Sequence, residues 1–101
     1  MASRQELQST LERVLGSRNV YFQPPESIKM TYPAIVYEYD DIRNRFANNN
    51  VYVQSWHYQV TVIDKNPDGE IMKKVSALDQ VRFIRHFKSD NLNHYVFTIY
   101  Y

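Results

Sequence analysis

The sequence predicts an α+β fold, a largely antiparallel sheet of four to five strands with two helices packed on one face, and three observations carry that expectation. Leu7, Leu11, Val14 and Leu15 recur at helical spacing near the N-terminus. Tyr52, Trp56, Tyr58, Val60 and Val62 alternate with Ser55, His57, Gln59 and Thr61, the period of a half-buried strand with its even-numbered side toward the core. Two β-prone runs flank Ser89-Asp90-Asn91 at the C-terminal end, the pattern of a hairpin. The order helix, strands, helix, hairpin packs most simply as a helical layer on one sheet.

Each element has its own local reason. Ser3-Arg4-Gln5-Glu6 has the spacing of a capping box ahead of the first helix, and Gly16 is placed to end that helix in a left-handed turn. Asn19 to Phe22 reads as a short extended stretch before Pro24-Pro25, with Gln23 to Thr31 an irregular connector. Ala34 to Asp40, rich in β-branched and aromatic residues, reads as a strand whose start is set by Tyr32-Pro33. Asp41 to Asn50 is polar and rich in asparagine, which predicts a long loop. Val51 to Asp64 is the clearest strand. Pro67-Asp68-Gly69 breaks it, and Ile71, Val75 and Leu78 mark a short second helix with Asp68 near its N-terminus. Val81 to Lys88 follows with Phe83 and Phe87 expected on one side, and Leu92 to Tyr101 closes the chain with Tyr95, Phe97, Ile99 and Tyr101 aligned.

Composition narrows the classes of function. The length of 101 residues suits one core, so residues 1–101 read as a single domain. A net charge of +1 gives no overall pull toward nucleic acid or an anionic membrane. No run has the length or apolarity of a membrane span, and no apolar leader follows Met1. Cysteine is absent, which removes disulfides, thiolate nucleophiles and thiolate metal ligands and is consistent with a reducing compartment. Nine tyrosines supply large contact area with a polar tip, either in the faces of a small sheet or at an interface.

The stretches Tyr32-Pro33-Ala34-Ile35-Val36-Tyr37-Glu38, Tyr58-Gln59-Val60-Thr61-Val62-Ile63-Asp64 and Asp90-Asn91-Leu92-Asn93-His94-Tyr95-Val96-Phe97 resemble, in that order, the tail-terminator proteins of long-tailed bacteriophages, also called tail-completion or head-tail joining proteins. The resemblance runs from Tyr32 to Tyr101 and rests on short strand sequences. It implies a structural virion protein without enzymatic activity or cofactor. Copies of the chain would form a hexameric ring that caps the head-proximal end of the tail tube, stops tube polymerisation and offers a docking face to the head connector or stopper protein. Its partners would be other copies of itself, the tail tube protein, the connector, and genomic DNA passing without sequence-specific binding; no membrane is implied. It would reside in the virion neck, after assembly in the host cytoplasm. The family carries no active-site motif to transfer onto positions of this chain. Near-neutral charge fits a ring that lets DNA pass without gripping it.

The residue types that could carry chemistry read more simply as structure. Asp64-Lys65-Asn66-Pro67-Asp68-Gly69-Glu70-Ile71 matches the first half of a calcium loop, but Val75 stands where a bidentate glutamate should close it. His57, His86 and His94 follow no metal-ligand spacing, although His86 and His94 could approach across the final hairpin. Glu38 and Asp40 would share a strand face near Asp41, and a solvated strand edge explains them. Two glycines and no G-x-S-x-G leave no phosphate loop, dinucleotide fingerprint or nucleophile elbow.

The rival function is a small nucleic-acid-binding module that stacks bases on sheet aromatics while Arg43, Arg45, Arg82 and Arg85 meet phosphates. Its aromatics fall mostly on the expected core face. The residues expected to carry assembly are those of the long loop: Arg43 and Arg45 for charge, Phe46 as an apolar anchor, and Asn48, Asn49 and Asn50 for adaptable hydrogen bonds. No catalytic, cofactor or metal residue is assigned.

Overall fold

The computed structural model describes residues 4–24, 29–47, 50–66 and 69–100, with 41–47 and 50–55 described by the course of their backbone alone. Its elements are α1 (Arg4–Leu15), β1 (Val20–Phe22), β2 (Ala34–Ala47), β3 (Asn50–Asp64), α2 (Glu70–Ser76), β4 (Val81–Ser89) and β5 (Leu92–Tyr100). They form a five-stranded sheet in the order β1-β2-β3-β5-β4, antiparallel throughout except that β1 runs parallel to β2. The expected α+β architecture is therefore the observed one.

Helix α1 turns Leu7, Leu11 and Leu15 inward at the predicted spacing. It ends where Gly16, at φ +80°, donates its N–H to Glu12 O at 2.8 Å, a conformation that costs a residue without Cβ least. The proposed Ser3 cap lies outside the described residues. The α2 cap position is Gly69, which makes no side-chain cap bond, while Asp68 also lies outside the described residues.

The core is the space between these helices and one sheet face. Ile35 and Tyr37 of β2, Tyr58, Val60 and Val62 of β3, and Tyr95, Phe97 and Ile99 of β5 join Leu7, Leu11, Leu15 and Val75 in one buried cluster. Cross-strand register places Tyr37 opposite Val60 and Val60 opposite Phe97, so one row of large side chains crosses the sheet. The even-numbered face of β3 from Trp56 to Val62 is the core face, as its alternation predicts. The other face is less solvated than expected: His57, Ile63 and Val96 are buried there, and the His57 ring packs tilted against Tyr100 with centroids 4.1 Å apart.

Three expectations change. Asp41 to Asn50 is not a long loop: β2 continues through Ala47 and β3 begins at Asn50, paired from Asp41↔His57 to Ala47↔Asn50 with one register shift between Arg45 and Phe46. The arginines and asparagines of this stretch form strand because a two-stranded ribbon is held by backbone pairing, which any residue but proline supplies. Phe83 and Phe87 do not share a side. Phe83 pairs with Phe97 and Arg85 with Val96, leaving Ile84 as an extra residue in a bulge, which moves Phe87 to the face opposite Phe83. A bulge at Asp40, between Tyr39↔Tyr58 and Asp41↔His57, likewise interrupts the alternation that would have put Glu38 and Asp40 on one face.

Candidate interaction surface

Two features stand apart from the packed sheet. The first is an arm. Among the described residues, β1 flanks β2 only at Ile35–Tyr37, and β5 runs beside β3 only from Asp64 to His57. The distal parts of β2 and β3 therefore pair with each other alone, as a ribbon of seven residues a strand that extends roughly 23 Å at 3.3 Å per residue. The molecule is accordingly elongated, 51 × 25 × 23 Å. Arg43 lies in register with Ser55, Arg45 with Val53, Phe46 with Val51 and Asn50 with Ala47. The side chains of these arm residues, and Asn48 and Asn49 altogether, lie outside the described part.

The second feature is β4, the edge strand on the other side of the sheet. From Arg82 to Ser89 every residue is exposed, including Phe83 at 51%, Ile84 at 48% and Phe87 at 40%. The Ile84 bulge sorts the side chains: Arg82, Arg85 and Phe87 fall on the face away from the helices, and Phe83, His86 and Lys88 on the helix side. The rings are held against β5. Phe83 packs edge-on to Phe97 at 5.4 Å, His86 stacks on Tyr95 at 4.7 Å, and Phe87 stacks on His94 at 4.6 Å with the Arg85 guanidinium 5.4 Å from the Phe87 centroid. This exposed row is not evident from alternation. Its signal in the sequence is cations at 82, 85 and 88, a period of three that no regular strand follows and that a bulge accommodates.

The pairing next to the turn, Phe87↔His94 and His86↔Tyr95, separates the histidines. His86 shares the helix side with Asn93, whose Oδ1 lies 3.0 Å from its Nε2, while His94 points to the opposite face, so the two do not converge. Among the described residues, no group of three or more His, Asp or Glu side chains is gathered in metal-binding geometry. In the 64–69 loop, Asp64 Oδ1 accepts the Asn66 N–H at 3.0 Å, and a Cβ at Gly69 would overlap the Asp64 carboxylate. That carboxylate serves its own turn. Calorimetry with millimolar calcium is expected to show no heat; saturable binding would overturn the structural reading of this loop.

Near the base of the arm, the core opens into an aromatic group that sequence spacing does not connect. Tyr39, 44% exposed, packs against Phe22, Tyr58 and Trp56 with centroids 5.2, 5.2 and 5.7 Å away. Arg4 of α1 lies 4.5 Å over the Phe22 ring and donates to Tyr37 Oη at 3.4 Å. Tyr37 donates in turn to Gln8 Oε1, and Gln8 Nε2 donates to Glu12 Oε2 at 3.0 Å and Val20 O at 3.1 Å. This chain of bonds ties α1 to β1 and β2. Burial pushes the Tyr37 phenol above its ordinary value of 10.0, against the pull of Arg4, and burial with the neighbouring Tyr39 and Tyr37 does the same to Tyr58. A raised tyrosine value means that the unfolded chain loses the proton first. The stabilisation is full below about pH 10 and is lost as pH rises through the folded-state values. Alkaline unfolding is expected to shift toward higher pH in Tyr37→Phe, read by circular dichroism alongside tyrosinate absorbance; an unchanged alkaline limb would refute the linkage.

No protein-family model matches the chain, and no curated protein matches it significantly. Residues 32–38, 58–64 and 90–97 fall in or beside β2, β3 and β5, which are neighbours in the sheet.

Proposed function

We propose that this chain is a ring-forming tail terminator of long-tailed bacteriophages, capping the head-proximal end of the tail tube, ending its polymerisation and joining the tail to the head connector. The observation that carries the reading is that the resembling segments are the three contiguous central strands of one sheet, so the likeness follows a structural unit rather than scattered peptides. The arm and the β4 edge support it. A head-to-tail ring requires two different surfaces on each subunit, and the arm and the β4 edge lie on different parts of the molecule. Such a role needs no catalytic residues, and none is assigned.

The nucleic-acid reading is weakened by burial. Tyr37, Tyr58, Tyr95 and Phe97 lie beneath the helices and offer no face for stacking bases. Salt-dependent binding to single strands should accordingly be negligible. The tail reading is tested by measuring the mass and stoichiometry of the chain bound to purified tail tubes. Six copies at one tube end are expected. A chain that associates with neither tubes nor connector proteins would sink it, whereas a monomer in isolation would not, because a ring can form on the tube.

A further inference from the structure

We propose that the open edge of β4 is a docking strand for an extended acidic segment of a partner protein, which joins the sheet as its sixth strand. This inference stands on β4 alone and does not depend on the tail reading.

An edge strand carries a row of backbone donors and acceptors that another chain can pair with, and proteins guard such edges with cations, bulges and short length. β4 has cations and a bulge, yet it is nine residues long and exposes Phe83, Ile84 and Phe87, which a merely guarded edge has no reason to carry. Arg82, Arg85 and Lys88 make no ion pair among the described residues, and no carboxylate lies between Val81 and Ser89. Two β4 strands brought together would concentrate like charge along one seam, so the edge disfavours its own copy and favours carboxylates. Charge and apolar surface also lie on both sides of the strand: Arg82, Arg85 and Phe87 on one face, Phe83 and Lys88 on the other. A nucleic acid lying on the sheet would reach one face only. A paired strand reaches both, with main-chain bonds providing affinity and alternate side chains providing selectivity.

The complement follows residue by residue: carboxylates opposite Arg82, Arg85 and Lys88, and apolar side chains opposite Phe83 and Phe87. The probe is a peptide of sequence Glu-Leu-Thr-Glu-Val-Glu, acetylated and amidated so that its ends carry no charge. Backbone amide shifts of the full chain are followed as peptide is added, beside a version with Lys for each Glu and one N-methylated at alternate residues.

Shifts confined to β4 and its neighbour β5 are expected, together with weakening in salt and with loss on N-methylation. Arg82→Glu with Arg85→Glu should weaken binding roughly tenfold or more, and Arg82→Lys with Arg85→Lys, which keeps the charge and guards against misreading a folding defect, should retain it. The proposal is overturned if β4 amides do not respond at millimolar peptide, or if the Lys or N-methylated peptide binds equally well. It is also overturned if β4 shifts depend on protein concentration without peptide, which would make a second copy the occupant. Tighter binding of oligothymidine at the same amides would assign the edge to nucleic acid instead.

Discussion

Replacing Arg43, Arg45 and Phe46 together by alanine is expected to abolish ring formation on the tail tube while the monomer stays folded. These positions lie on the ribbon of β2 and β3 that no other described strand flanks. If the arm is the contact of the proposed assembly, a handful of anchors should dominate its energy, so association should weaken by roughly 100-fold or more. Sedimentation of the variant with purified tubes reads the loss, and circular dichroism reads the fold. Normal rings would show that the contact lies elsewhere.

Phe97→Ala should have the largest effect on stability. Phe97 is fully buried in the row Tyr37, Val60, Phe97, with Phe83 packed edge-on against it. Emptying such a site costs about 4 kcal/mol in lost transfer energy and residual cavity, a large share of the roughly 5–15 kcal/mol that holds a domain of this size together. Phe83→Ala is the internal comparison. It removes a ring that is already half in water and should cost only about 1 kcal/mol. Urea unfolding of both variants checks the contrast, and equal losses would mean that Phe97 does not anchor the core as its burial implies.

The two phenylalanines, opposite each other in register, also mark how far local pattern reaches. The leucine spacing of α1, the alternation of β3 and the final hairpin were legible because each buries one face at a fixed period, and burial of apolar side chains is what that period records. The ribbon was not legible. Asp41 to Ala47 alternates Ile42 and Phe46 with Arg43 and Arg45, but Asn44 and the asparagines at 48–50 read as turn residues, and its strand form comes from pairing with β3, a partner that a local window does not contain. The parallel docking of Val20–Phe22 beside Ile35–Tyr37 was invisible for the same reason, since three residues hold too little pattern to name a neighbour.

By itself the sequence determined the α+β class, the helices and the core face of the central strand, because those depend on periodicity within each element. Only the tertiary structure decided where alternation breaks. The extra residues at Asp40 and Ile84 are defined by the strands they fail to match, and each changes which side chains share a face. The pairing next to the turn, Phe87↔His94 and His86↔Tyr95, parted His86 and His94, and the Ile84 bulge set Phe83 and Phe87 on opposite faces of an edge lined with cations and aromatic rings. A bulge is a relation between two strands, so its consequences emerge only when both are in place.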